Sequence, residues 1–315
     1  MTSTTILVTG GSGLIGQRLL HRLRAAGRPC LGIDIIRKPQ GEAVEIADLD
    51  DVHALHRLTR AHGVGSIIHC GGISGPMVMI DNPHAIIRTN VGGTANMLEV
   101  ARLHGLRRLV FCSSTSAYGP TMPPSAVGGI PEDVPLRPGS VYASTKAAAE
   151  ALLVGYRTQH ALDAVAIRLS WVYGPGRTTD CVIRTMVEGW IEGRPVRLPY
   201  GGDFPRQFIH VDDAVDALLA AHDAPACPRA VYTATGDSFL TIGEIAAVAS
   251  ACLPGAVLTV EDGPDPLDDV QHRFDISAIR RDLGFAPRRS LAEGIADYAA
   301  WLRERMLQPT PKDTP

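Results

Sequence analysis

Short apolar runs alternate with amphipathic stretches through the first half of the chain. Ile6–Thr9, Cys30–Ile35, Ser66–His69, Arg108–Cys112 and Ala164–Leu169 are brief and nearly continuously apolar, which predicts strands buried on both faces. Between them, Leu14–Ala26, Asp51–His62, Pro83–His104 and Tyr142–His160 carry apolar residues at helical spacing. This alternation predicts an α/β fold, a parallel sheet doubly wound by helices. The second half is less regular. Tyr173-Gly-Pro-Gly176, Leu198-Pro-Tyr-Gly-Gly202 and Gly263-Pro-Asp-Pro266 interrupt it. Short helices fit Asp212–His222, Ile242–Cys252 and Leu291–Arg305, the last opened by the capping box Ser290-Leu-Ala-Glu293. Two units are expected. The first spans 1–173, with a returning segment near 205–223. A smaller, less regular unit is built from 174–204 and 224–308, and 309–315 form a disordered tail.

Composition narrows the class. At 45% hydrophobic and 20% charged residues, the 315-residue chain reads as a globular enzyme with a large core. A net charge of −3 without a basic run argues against nucleic acid as a partner. The start of the chain lacks the basic and apolar regions of a signal peptide, and no apolar run reaches the roughly 18 residues of a membrane span. A cytoplasmic protein without membrane attachment is expected. Cys30, Cys70, Cys112, Cys181, Cys227 and Cys252 form no C-x-x-C pair, so buried free thiols are expected and a zinc site is not. In His210-Val-Asp-Asp213 the acids are expected to cap a helix instead of holding a metal.

The first strand runs into Thr9-Gly10-Gly11-Ser12-Gly13-Leu14-Ile15-Gly16 and then a helix. Both G-x-x-G-x-x-G from Gly10 and G-x-G-x-x-G from Gly11 fit. Either register describes glycines that let the backbone approach a pyrophosphate at a helix N-terminus, the dinucleotide device of a Rossmann sheet. Asp34 closes the next strand, eighteen residues past Gly16. A carboxylate there accepts ribose hydroxyls and repels a 2′-phosphate, so NAD is the expected cofactor. Arg37 and Lys38 soften that preference.

Tyr142 and Lys146 lie four residues apart on one predicted helix face. An ammonium one turn away favours a phenolate, and a phenolate can take a proton from an alcohol. Ser114, on the strand before, is placed to stabilise the developing alkoxide.

Ordered motifs extend over nearly the whole chain. They include the glycine loop, Asp48-Leu49, Ile68-His69-Cys70-Gly71-Gly72, Asn90 in Thr-Asn-Val-Gly-Gly-Thr, Ser113-Ser114-Thr115, Tyr142-x-x-x-Lys146, Arg168-Leu-Ser-Trp171 and Arg206-Gln-Phe-Ile-His-Val-Asp-Asp213. In this order they make the chain resemble the extended short-chain dehydrogenase/reductase family, which contains UDP-galactose 4-epimerase. The resemblance implies that Asp48 and Leu49 lie against the adenine, that Cys70, Gly71 and Gly72 line the phosphates and ribose, and that Lys146 binds the nicotinamide ribose. It further implies that Ser114 and Thr115 meet the substrate, that Arg206 grips a diphosphate, and that Asn90 serves either a proton relay or helix packing. Pro83–His104 and Tyr142–His160 correspond to helices that pair in homodimers of this family.

Absences restrict the reaction. Ser114-Thr115-Ser116-Ala117 lacks the Asp-Glu pair of the 4,6-dehydratase branch, the nearby Glu of decarboxylases and the cysteine of the fucose-synthase branch. Two readings stay open. One is a nucleotide-sugar 4-epimerase working through a transient keto sugar. The other is an NAD-dependent dehydrogenase of a small sugar, sugar acid or hydroxy compound. Trp171 stands where many nucleotide-sugar enzymes have an asparagine, and an indole cannot reproduce that amide's hydrogen bonds to substrate.

Overall fold

The computed structural model describes residues 4–38, 41–124, 128–266 and 268–307. The disordered tail expected over 309–315 lies outside them. Chain order in the first half is β1 (Thr5–Thr9), α1 (Leu14–Ala25), β2 (Cys30–Asp34), β3 (Glu45–Ile46), α2 (Val52–Ala61), β4 (Val64–His69), α3 (Pro83–Ile87), α4 (Gly93–Leu103), β5 (Arg108–Ser114), α5 (Val141–His160) and β6 (Ala164–Leu169). The expected strands and helices of this half are present. The single helix expected over 83–104 is α3 and α4 joined by a π-helical turn, Arg88–Gly92, which carries Asn90.

The second half supplies β7 (Trp171–Tyr173), α6 (Val182–Ile191), β8 (Val196–Leu198), β9 (Pro205–Arg206), β10 (Phe208–His210), α7 (Val211–Asp223), β11 (Val231–Ala234), β12 (Leu240–Thr241), α8 (Ile242–Cys252), β13 (Leu258–Val260), α9 (Ser277–Leu283) and α10 (Leu291–Leu307). The capping box before α10 forms as expected, with Ser290 N–H donating to Glu293 at 2.9 Å and Glu293 N–H to Ser290 Oγ at 3.3 Å.

The central sheet has seven strands in the order β11-β6-β5-β4-β1-β2-β3, each pairing parallel. Strand side chains alternate between its faces. Ile6 and Val8 pack into one core with α1 and α7, whereas Leu7 packs into another with α2, α4 and α5. Two-sided burial explains why these strands read as unbroken apolar runs. β11 joins the sheet edge, and Ala278 and Ile279 of α9 pack into the β1 core. The nucleotide-binding unit therefore draws on residues expected to belong to the second one. A third core gathers α6, α8 and α10 around Tyr173, Ile183, Met186, Ile245 and Tyr298.

Strand order reverses between β1 and β4. Ligands of open parallel sheets bind outside the carboxyl ends of strands at such a point. Gly10 follows β1 and Cys70 follows β4 there.

Candidate active site

Gly10 adopts φ +67°, and a Cβ on it would lie 2.8 Å from the Cys70 carbonyl and the Gly71 Cα. A Cβ on Gly16 would lie 2.1 Å from the Gly10 oxygen. The left-handed turn thus falls on Gly10, and the helix packs against it at Gly16. Gly13 begins α1 with no side-chain cap. The first-turn N–H groups of Leu14, Ile15 and Gly16 are left for an anion at the positive end of the helix. Asp34 stands beside this loop, accepting Ser12 N–H (2.9 Å) and Ile35 N–H (2.7 Å). Arg37 is turned away from Asp34, donating instead to the Val44 carbonyl at 3.0 Å. Asp48 accepts Asp50 N–H at 3.0 Å, and buried Leu49 closes the far side. A cradle that a single Cβ would fill, an uncapped helix and a carboxylate at the end of β2 fit NAD.

A hydrogen-bonded chain fixes the turn after β4. Gly71 N–H donates to Thr9 Oγ1 at 2.9 Å. Thr9 Oγ1 lies 2.6 Å from His69 Nδ1, and His69 Nε2 lies 3.1 Å from Thr94 Oγ1. The Thr94 hydroxyl spends its proton on the Asn90 carbonyl at 2.6 Å. His69 must then donate from Nε2 and accept at Nδ1, which makes it neutral. Its burial, helped by the nearby Lys146 charge, pushes its pKa down to about 3. Asn90 bonds Ile73 N–H, the Ile73 carbonyl and Thr145 Oγ1 at 2.8–3.0 Å. These contacts tie the cofactor turn and Gly72 to α5.

Ser140 caps α5 by accepting Ala143 N–H at 3.1 Å, which sets Tyr142 and Lys146 on its first turns. Both are buried. Lys146 Nζ donates to the Cys112 carbonyl at 2.8 Å and lies 5.9 Å from the Tyr142 ring centre. Ser114 ends β5, its Oγ 3.1 Å from Ser116 Oγ. Deeper in α5, Glu150 accepts Ser113 Oγ–H (2.5 Å) and the Arg168 guanidinium (2.7 and 3.0 Å). Arg168 also lies 4.4 Å from the Tyr118 ring centre. This buried pair locks the helix carrying Tyr142 to β5 and β6.

The substrate side holds what sequence reasoning missed. Arg206 does not stand free for a substrate anion. Its Nη2 donates to Asp265 (2.7 Å) and Asp268 (2.8 Å), and its guanidinium stacks 4.5 Å from the Trp171 ring centre. Trp171 Nε1 donates to the same Asp268 oxygen at 2.8 Å. Burial raises the Asp268 pKa to about 6 against the pull of Arg206. The run Gly263-Pro-Asp-Pro266 signals only a turn, and nothing local joins its Asp265, or Asp268 just beyond it, to an arginine about sixty residues earlier. At His210–Asp213 the acids do not cap α7 as expected. His210 accepts Asp212 N–H there (3.3 Å), Asp212 pairs with Arg18 and Arg289, and Asp213 accepts the N–H groups of Arg288 and Arg289.

The sequence model of the NAD dependent epimerase/dehydratase family matches residues 6–232. The chain belongs to this family. Its NAD dependence and Rossmann sheet follow from that membership and from the cradle around Gly10. Family members similar to it include UDP-glucose 4-epimerase of Mycolicibacterium smegmatis, 32% identical over 95% of this chain and 98% of that protein. A dTDP-glucose 4,6-dehydratase of Streptomyces griseus is 29% identical over 95% and 94%. Among solved structures, Thermus thermophilus UDP-glucose 4-epimerase in complex with NAD superimposes with a TM-score of 0.82 at 26% identity, over 95% of this chain and 99% of that one. The family includes both epimerases and dehydratases.

Proposed function

We propose that this enzyme is a nucleotide-sugar 4-epimerase that passes through a transient keto sugar. The observation that supports the reading is that Lys146 Nζ lies 5.9 Å from the Tyr142 ring centre and bonds the Cys112 carbonyl of β5, the strand that ends at Ser114, with Thr115, Ser116 and Ala117 following in place of carboxylates. Tyr142 Oη is the base that takes the proton of the sugar hydroxyl. Ser114 Oγ donates to the same oxygen as charge develops there. NAD held by the cradle of Gly10, Gly13 and Gly16 would supply the hydride acceptor at the carbon. Lys146 Nζ is held by the Cys112 carbonyl, 5.9 Å from the tyrosine ring centre. Once the keto sugar has turned over, hydride reaches the other face of the carbon and Tyr142 returns the proton to the oxygen. No acid stands at 115–117 to eliminate water or assist loss of CO₂.

A second reading has one specific support. The ion pairs on Arg206 suit a small sugar or sugar acid without a diphosphate, oxidised in a net dehydrogenation. The state of the purified protein separates the two. Co-purifying NAD and interconversion of UDP-glucose and UDP-galactose without net NADH support the epimerase. Empty cofactor sites and steady NADH formation on a free sugar or sugar acid overturn it.

The reading includes a cytoplasmic homodimer. Its supports are six free cysteines, as expected of a reducing compartment, and the exposed Ile87, Leu103 and Val154 on α3, α4 and α5. Among the described residues no helix is long and apolar enough to cross a membrane. Light scattering that finds only monomer removes the dimer.

A further inference from the structure

We propose that Asp265 and Asp268 are specificity-determining residues that stand in for the substrate's diphosphate on Arg206, so that a nucleoside diphosphate binds only by displacing them. The proposal rests on the nucleotide-sugar reading and refines it.

Arg206 is only 5% exposed. Its guanidinium lies between Trp171, 4.5 Å from the ring centre, and Phe204, at 5.5 Å. A cation wedged between two rings does not swing out to meet a ligand, so an anion must come to it. Both carboxylates already reach its Nη2. Two acids on one cation leave the subsite with no surplus positive charge. An arriving diphosphate meets like charges at contact distance, an arrangement that interfaces use to reject wrong partners. Trp171 strengthens the latch by donating its indole N–H to Asp268. That bond gives the tryptophan a polar role which the asparagine it replaces would have spent on substrate.

Two further observations place the latch in the substrate site. The latch lines a cleft bounded by Thr115, Trp171, Arg206, Asp268 and Gln271. Thr115 directly follows Ser114, so the cleft opens beside the reacting centre. In addition, Arg206 Nε is buried without a hydrogen-bond partner among the described residues. The Nε donor therefore has no acceptor among the described residues, while the acids hold Nη2.

The test is calorimetric titration of UDP into the NAD-loaded enzyme at pH 8, comparing wild type with Asp268→Asn and Asp265→Asn made separately. Uridine serves as the phosphate-free control, and retained NAD binding shows that each variant folds. The expected result is weak UDP binding by wild type and a gain of about tenfold or more in at least one variant, with uridine unchanged. Tight wild-type binding that neither variant improves overturns the latch and leaves the nucleotide-sugar reading standing. Failure of wild type and both folded variants to bind UDP removes that reading and the latch with it. If neither variant retains NAD binding, the acids are structural and the proposal is overturned.

Discussion

The hydroxyl of Thr9 lies 2.6 Å from Nδ1 of His69 and donates to it. The two residues end adjacent parallel strands, β1 and β4, at the reversal of strand order. The bond joins the glycine loop to the turn His69–Gly72, because Thr9 Oγ1 also accepts Gly71 N–H. The cofactor cradle is thereby held from both sides by one hydroxyl.

Thr9→Val keeps the shape and removes that hydroxyl. It leaves His69 Nδ1 and Gly71 N–H buried without partners, at a cost of about 1–3 kcal/mol. Urea denaturation is expected to show this loss, and NAD affinity to fall with it. Unchanged stability would show that the chain through Thr9 carries no load.

His69 also sets a pH dependence. Its folded pKa of about 3 lies below the unfolded value of 6.5, so the unfolded chain binds the extra proton between them. The stabilisation is full above pH 6.5 and is lost as pH falls toward 3. His210, lowered to about 4 chiefly by burial, acts in the same direction. Asp268, raised to about 6, opposes them between its ordinary value and 6. Replacing His69 with Gln is expected to flatten the pH dependence of stability by about 1.4 kcal/mol per pH unit within this window. Denaturation curves at pH 4, 5 and 6 check it, and parallel curves for the two proteins contradict it.

Tyr142→Phe deletes the proton-transfer group and keeps the ring. Turnover is expected to fall by about 10²–10⁴-fold with NAD still bound. Survival of every candidate activity would remove Tyr142 from the assigned chemistry.

Glu150 and Arg168 are both about 4% exposed, so their ion pair is shielded from solvent. Removing one partner strands a buried charge, and Glu150→Gln is expected to cost about 3–5 kcal/mol. The double change Glu150→Leu with Arg168→Met is expected to recover most of that loss. Chemical denaturation of the three proteins tests the order.

Gly10→Ala forces a Cβ to within 2.8 Å of the Cys70 backbone at φ +67°. Neither side of that contact can rotate away, so the loop must open. Loss of NAD binding, read by fluorescence titration, is the expected outcome, and ordinary affinity would show that the loop has slack.

The sequence by itself determined the features that are local. Apolar runs and period-3.6 patterns are written into consecutive residues, so β1, β2, β4, β5, β6 and the helices between them were legible within a few positions, whereas the two-residue β3 was not. The glycine loop, Asp34 and the Tyr142–Lys146 spacing were legible for the same reason, each being set by one strand end or one helix turn. Tertiary structure alone decided the rest. β11 is four residues long and becomes a strand of the sheet only by pairing with β6. Glu150 meets Arg168 and Ser113 because α5 lies across β5 and β6. Arg206 meets Asp265 and Asp268 because the Pro-rich loop after β13 folds back over β9. Charge pairing across such distances depends on how elements pack, and no periodicity records it. The Tyr142–Lys146 pair was therefore readable from a short stretch of sequence, while the acids paired with Arg206 were settled by the fold.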